Sequence, residues 1–180
     1  AVHADHTQSA DSRWYTGSGI YRDVYLVYAN QVHIAQWGVF AYPAKVNAKQ
    51  ATVNVDVEIT NNTKADSKLL ITNELINQEG KTVAKSNAKL IATANKNNKV
   101  TTLLNVTKPS LWSLNTPYLY TLKTRVFENG KLIDETTTKT GIRTYTFDPN
   151  TGFALNGENM KVKGVCLHHD AGVLGSAAYY

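Results

Sequence analysis

Hydrophobic and polar residues alternate along most of the chain with a period of two residues. Residues 53–60 place valine or isoleucine at each odd position and a polar residue at each even position, and residues 120–126 repeat the alternation at Tyr120, Leu122 and Val126. A period of two is typical of strands with one buried face, whereas an amphipathic helix repeats every three to four residues. No segment shows a convincing helical period, so the sequence predicts an all-β protein.

Pairs of turn-forming residues separate these segments. They are Glu79-Gly80, Asn129-Gly130 and Asn156-Gly157. An Asn-Gly pair between two apolar segments predicts a hairpin closed by a two-residue type I′ turn, in which both central residues have a positive φ. Turn signals at this spacing, with antiparallel hairpins and little helix, favour a β-sandwich.

The predicted strands cover residues 20–29, 31–41, 51–61, 67–77, 86–93, 98–106, 118–128 and 131–140, followed by a hairpin of 153–155 with 159–166. The segments between residues 31 and 143 suffice for one immunoglobulin-like sandwich of ~100 residues. The ends of the chain do not fit into that sandwich, and neither end has enough apolar residues to form a domain alone. We therefore interpret both ends as pieces of neighbouring domains.

Composition and charge narrow the class of protein further. The chain has 180 residues, of which 42% are hydrophobic, so it can bury a sandwich core but is shorter than the ~250 residues of a complete eightfold barrel. Its net charge is +5 with scattered lysines, so no nucleic-acid partner is predicted. No apolar run approaches the ~20 residues of a membrane helix, so no membrane partner is predicted either. The single cysteine, Cys166, excludes an internal disulfide and leaves the compartment open.

Three motifs follow one another along the chain. They are SRWYTGSGIYRDVYL at 12–26, PSLWSLNTPYLYTLKTRVFENGKLIDETTTKTGIRTY at 109–145, and FALNGENMKVKGVCLHHDAGVLGSA at 153–177. In this order and at this spacing they resemble glycoside hydrolase family 2, the β-galactosidase, β-glucuronidase and β-mannosidase family. The first resembles the end of that family's sugar-binding jelly roll, the second the last part of its immunoglobulin-like domain, and the third the start of its catalytic barrel.

The resemblance implies a domain organisation and a function. Residues 1–30 are expected to be the C-terminal piece of the jelly roll, 31–146 an immunoglobulin-like β-sandwich, and 147–180 the N-terminal piece of the TIM barrel. The chain is then a middle fragment of a retaining, β-galactosidase-like glycosidase that acts on a β-glycoside without a cofactor. The family's two catalytic carboxylates lie on later barrel strands, so the resemblance implies that the chain alone is inactive and holds no catalytic residue.

Two residues are candidates for contacts with substrate in the intact enzyme. By resemblance, Arg13 precedes a glycine turn whose neighbours face the sugar from the jelly roll. The alternative is that this segment only packs, with Gly17 and Gly19 permitting a tight turn. His168 matches the family's substrate-contacting histidine at the carboxyl end of the first barrel strand, where barrel enzymes bind substrate.

The residues beside His168 invite a metal-site hypothesis. Adjacent side chains on a strand point to opposite faces, so His168 and His169 are not expected to share a metal ion. The sequence C-L-H-H departs from the N-R-H-E pattern common in the family. That departure leaves the roles of His169 and Asp170 open, and no metal site is predicted.

Two further features have both a functional and a structural interpretation. Asp56 and Glu58 lie two positions apart on one predicted strand, ~6.5–7 Å along the chain, which is within the range of glycosidase carboxylate pairs. They occupy the face opposite the buried one, so we predict a solvated, non-catalytic pair. Trp112 is predicted to fill the end of the sandwich core beside Tyr118 and Tyr120, and the alternative is that it stacks on a sugar ring.

A different class of protein also fits much of the sequence. A stand-alone immunoglobulin-like module that binds a glycan or a protein is the alternative, because sandwiches host many functions. Such a module has no use for the additional hairpin that ends in HHDAGVLGSAAYY. The end segments 12–28 and 159–167 are predicted strands without partners, so we expect them to pair with the sandwich, with each other or with a second copy of the chain.

Overall fold

The computed structural model describes residues 2–5, 20 and 23–166, and its regular structure is β throughout those ranges. Ten strands are present: β1 Val32–Val46, β2 Gln50–Asn61, β3 Ser67–Ile76, β4 Thr82–Ala92, β5 Lys96–Thr107, β6 Tyr120–Glu128, β7 Lys131–Thr140, β8 Tyr145–Asp148, β9 Gly152–Leu155 and β10 Glu158–Asn159. All of them lie in one compact unit, residues 28–161, and the remaining described residues belong to a second unit. No helix that could span a membrane occurs in the described ranges.

The strands form three antiparallel sheets within the 28–161 unit. The first sheet has the order β1-β2-β5, the second β4-β3-β6-β7 and the third β10-β9-β8. The first two sheets enclose a common hydrophobic core, and their seven strands form an immunoglobulin-like sandwich. The predicted all-β sandwich is therefore confirmed, and the third sheet follows it along the chain.

Strand β2 shows why the first two sheets bury one face each. Its burial alternates residue by residue, and the valines and the isoleucine of 53–59 are at most 2% exposed. Other strands of both sheets supply inward apolar residues, among them Leu69, Ile71, Leu104, Leu122 and Val126. Each such side chain contributes roughly 1.5–3 kcal/mol when it leaves water, so this shared face is the main source of stability.

The predicted turns are present, and two of the predicted strands are wrong. Asn129 and Gly130 have φ values of 51° and 77° between β6 and β7, as a type I′ hairpin requires. The described residues of 20–29, namely 20 and 23–29, form no strand, and the predicted strand 159–166 is reduced to Glu158–Asn159. Strands need a hydrogen-bonded partner, and within the described part of the chain no strand pairs with residues 23–29 or 161–166. Pairing of the end segments with a second copy stays a prediction.

A buried polar network crosses the core between the two main sheets. The Asn73 amide on β3 donates to the Thr102 hydroxyl on β5 at 3.0 Å, and its oxygen accepts a bond from the Thr124 hydroxyl on β6 at 2.6 Å. Ser86 on β4 donates to the same Thr102 hydroxyl at 2.9 Å. Asn73 and Thr124 are fully buried, and buried polar groups are costly unless they are paired. The network therefore fixes one alignment of the sheets.

We expect Asn73→Ala to lower the free energy of unfolding by about 2–3 kcal/mol, because the substitution removes two hydrogen bonds and leaves the buried Thr124 hydroxyl without its acceptor. Asn87→Ala is the matched control. Asn87 is exposed on the neighbouring strand β4, so its loss should change stability by less than ~0.5 kcal/mol. Urea titration followed by tryptophan fluorescence measures both values, and equal effects would show that the network is not stabilising.

Candidate functional site

The two predicted substrate contacts lie outside the described residues. Arg13 and His168 are both in ranges that the structure does not describe, as are His169 and Asp170, and their roles stay predictions. Within residues 2–5, 20 and 23–166, no group of three or more His, Cys, Asp or Glu side chains could hold a metal ion. The site can therefore be built only from the sandwich and the third sheet.

Asp56 and Glu58 lie on the outward face of β2, as predicted, and each has a partner on β5. Asp56 forms an ion pair with Lys99 at 2.7 Å and accepts a hydrogen bond from the Thr101 hydroxyl at 2.7 Å. Glu58 accepts a hydrogen bond from the Asn97 amide at 2.8 Å. The hydrogen bond from Lys99 lowers the pKa of Asp56. A glycosidase acid needs a raised pKa, so Asp56 is unsuited to donate a proton to a glycoside.

Trp112 lies where the connection before β6 meets the chain that leaves β7. Its backbone N–H donates to the carbonyl of Ile142 at 2.9 Å, and its side chain packs on Gly141. The Arg143 guanidinium carbon is 4.7 Å from the centroid of the indole ring, a cation–π distance. Arg143 thus covers one face of the indole ring, where a sugar could otherwise stack.

Asn156, in the turn between β9 and β10, connects the third sheet to the residues around Trp112. Its backbone N–H donates to the Thr144 carbonyl at 2.8 Å, and its side-chain oxygen accepts a bond from the Thr144 N–H at 3.0 Å. Its side-chain amide donates to the Trp112 carbonyl at 3.0 Å. We call the set Trp112, Gly141, Ile142, Arg143, Thr144 and Asn156 the Trp112 junction.

The Gly-Ile-Arg sequence after β7 has a separate physical reason at each position. A Cβ at Gly141 would lie 2.9 Å from the Cβ of Trp112, so only glycine permits this approach. Ile142 is 1% exposed and belongs to the core. Arg143 covers the indole. The sequence showed this motif and the Leu-Asn-Gly hairpin, but their contact with Trp112 depends on residues that are far apart in the chain.

The prediction that Trp112 fills the end of the core needs correction. Trp112 is half-buried and lies over Gly141, because its neighbours in the connection already occupy the core end. Leu111 and Tyr118 pack against the core, and Tyr120 is 3% exposed within it. The Tyr120 hydroxyl accepts a hydrogen bond from the Ser110 N–H at 2.8 Å, an arrangement that resembles the tyrosine corner of immunoglobulin-like domains. Burial raises the pKa of Tyr120.

The open clefts on the surface of the sandwich unit include two that are lined only by described residues. One lies between β1 and the end of β7 and is lined by aromatic residues and two cations, including Phe40, Tyr42, Lys139, Arg143 and Tyr145. The other lies over β3 and β4 and includes Lys68, Leu70, Lys89, Ile91 and Asn129. No aspartate or glutamate lines either of these two clefts. Neither has the carboxylate pair that glycoside hydrolysis needs.

The sequence of the sandwich matches a known family. The family model of glycosyl hydrolases family 2 covers residues 32–143, which is the segment from the start of β1 to Arg143 and thus includes most of the Trp112 junction. The chain belongs to glycosyl hydrolases family 2. This confirms the resemblance that the three sequence motifs indicated.

Individual family 2 proteins are similar to the chain over nearly its whole length. A β-galactosidase of Bacteroides ovatus is 40% identical over 98% of the chain, and a putative β-glucuronidase of Formosa agariphila is 37% identical over 98%. A family 2 crystal structure from Bacteroides cellulosilyticus superimposes with a TM-score of 0.88 at 38% identity, covering 96% of the chain and 24% of that structure. The chain spans 21% and 16% of the lengths of the two curated relatives.

The ion pair of Asp56 with Lys99 predicts that the stability of the sandwich depends on pH. Because the folded state lowers the pKa of Asp56, its stabilising contribution is present above the unfolded pKa and is lost as the pH falls through the folded value. We expect the free energy of unfolding to decline below about pH 4, and less steeply in Asp56→Asn. Lys99→Met should flatten the decline in the same way. Urea titrations between pH 2.5 and 6 test this, and three identical pH profiles would contradict it.

The close approach of Trp112 predicts that Gly141→Ala destabilises the chain by about 1–3 kcal/mol, the usual cost of overpacking. Gly164→Ala is the control, since a Cβ at Gly164 meets no atom within 4 Å. Thermal unfolding measures both variants. A melting temperature of Gly141→Ala equal to that of the control would show that the indole can move away at no cost.

Proposed function

We propose that the chain is part of a retaining, β-galactosidase-like glycosidase, in which the sandwich holds a jelly-roll domain against a catalytic barrel. The domain bounds in this proposal are 1–30, 31–146 and 147–180. The observation that carries it is the match of the chain to about a fifth of the length of a β-galactosidase from Bacteroides ovatus at 40% identity. Other relatives are β-glucuronidases, so the proposal leaves the substrate open between a β-galactoside and a β-glucuronide.

The proposal includes inactivity of the chain by itself. Retaining hydrolysis needs a proton-donating carboxyl and a nucleophilic carboxylate about 5–5.5 Å apart, held in a partly dry pocket that separates their pKa values. Asp56 and Glu58 instead lie on the outward face of β2, bonded to β5 side chains. These contacts support a role in which the sandwich positions the neighbouring domains and supplies no reacting group.

Arg13 and His168 are proposed as sugar contacts in the complete enzyme. The jelly roll would supply Arg13 and the first barrel strand would supply His168, so both depend on the domains that the sandwich holds together. Small ligands need several converging contacts in a concave site. The chain alone is therefore expected to bind a glycoside too weakly to detect.

The experiment compares the 180-residue chain with the longer protein that this proposal requires. We expect the longer protein to hydrolyse an aryl β-galactoside or an aryl β-glucuronide, and the chain to show no turnover above the blank. A longer protein that is inactive on both would refute the proposed function. Turnover by the chain that Asp56→Asn or Glu58→Gln abolishes would instead place a catalytic centre within the sandwich.

One observation favours the alternative of a glycan- or protein-binding module. Trp37, on the edge strand β1, is 91% exposed and has a φ of 55°, and Phe40 on the same strand is 62% exposed. Such backbone strain is often found at functional sites. Binding of an oligosaccharide by the chain alone, lost in Trp37→Ala, would support this alternative.

A further inference from the structure

We propose that Asn156 is a positioning residue, whose side chain sets the place at which the chain leaves the sandwich and so controls substrate binding in the complete enzyme. This inference rests on the function proposed above. In this inference, one residue holds the third sheet, and the chain that follows it, in a fixed position relative to the sandwich.

The turn itself does not need the hydrogen bonds of the Asn156 side chain. Asn129-Gly130 has φ values of 51° and 77°, and Asn156-Gly157 has nearly the same values, 52° and 84°. Asn129 is exposed at its turn, whereas Asn156 is half-buried and uses both ends of its amide. Because the two turns share one backbone conformation, we infer that the side-chain hydrogen bonds of Asn156 hold the neighbouring segments at Thr144 and Trp112.

Those hydrogen bonds join three segments that are distant in sequence. Thr144 is 12 residues before Asn156, and Trp112 is 44 residues before it. Trp112 is in turn held by Ile142 and Gly141. A single side chain thus links the third sheet to the connection before β6 and to the segment after β7.

The third sheet depends on this link because it is small. Its strands have four, four and two residues, and β8 is exposed along its whole length. A sheet of this size gains little stability from its own pairing. Ala154 is its one residue among the buried hydrophobic side chains of the described chain, so the sheet has little apolar contact to hold it in place.

The path from Asn156 to the following chain is short. Met160 donates its N–H to the Phe153 carbonyl on β9 at 3.0 Å, and the chain continues from there toward the proposed barrel. In the proposed enzyme, rotation of the sheet would therefore change the position at which the barrel begins. Misplacement by about 1 Å can cost ~100-fold in rate.

The direction of the kinetic effect follows from where the groups lie. In the proposed enzyme both catalytic carboxylates belong to the barrel and stay together, whereas the sugar contact at Arg13 comes from the jelly roll. Loosening the junction should therefore raise KM more than it lowers kcat. A variant that is merely less stable would lose active protein, which lowers the apparent kcat and leaves KM unchanged.

The test uses the longer enzyme with Asn156→Gly and, as matched control, Asn129→Gly. Glycine keeps the positive φ at both turns, so only the side chains differ. We expect KM for the aryl β-glycoside to rise about fivefold or more in Asn156→Gly, with kcat changed less than twofold, and both constants to be unchanged in Asn129→Gly. Asn156→Asp keeps the acceptor for Thr144 but places a carboxylate oxygen, in place of the amide donor, opposite the Trp112 carbonyl, so its KM should also rise.

Hydrogen exchange on the 180-residue chain gives a second readout. In Asn156→Gly the amides of β9 and β10 should exchange faster while those of β6 and β7 keep their protection. An active wild-type enzyme whose KM is unchanged by Asn156→Gly would overturn this inference and leave the proposed function standing. A wild-type enzyme inactive on both aryl glycosides would overturn both.

Discussion

The two main sheets depend on one constraint, which is that each must bury a face against the other. A small antiparallel sheet with both faces in water is not stable. Strand β2 meets the constraint with inward residues at every second position from 51 to 59, each at most 2% exposed. A shift of the strand by one residue would turn all of them outward. The hydrophobic pattern therefore fixes the register, and the register decides which side chains meet on the outer faces.

The register within each sheet is fixed in this way, but apolar packing alone still allows one sheet to slide against another. Two polar features remove that freedom. Asn73 bonds to Thr124 in its own sheet and to Thr102 in the opposite sheet, and such bonds hold only in one alignment because hydrogen bonds are directional. At the Trp112 junction, Asn156 does the same for the third sheet. In both places an asparagine uses its oxygen and its nitrogen at once, which only one arrangement of three segments allows.

Features set by residues adjacent in the chain were predictable from the sequence. The buried face of 53–59 and the turn at Asn129-Gly130 belong to this group, as both follow from local pattern. The strand predicted at 159–166 was wrong because a strand requires a partner that local sequence does not reveal. The indole of Trp112 was placed in the core for its size, yet Gly141 and Arg143, which decide its position, lie about 30 residues further along the chain.

The charges of the sandwich are arranged for structure rather than for proton transfer. Among the described carboxyl groups with a shifted pKa, Asp56, Glu74, Glu135 and Asp148, each pKa is lowered. Lysines from neighbouring strands lower the first three, and backbone N–H groups of a turn lower the fourth. A catalytic acid requires the opposite shift, which burial or a second carboxylate provides. Acids that neighbouring cations and N–H groups hold as carboxylates fit the proposed role of this domain, in which the sandwich positions an active site and the reacting pair of the proposed enzyme lies on another domain.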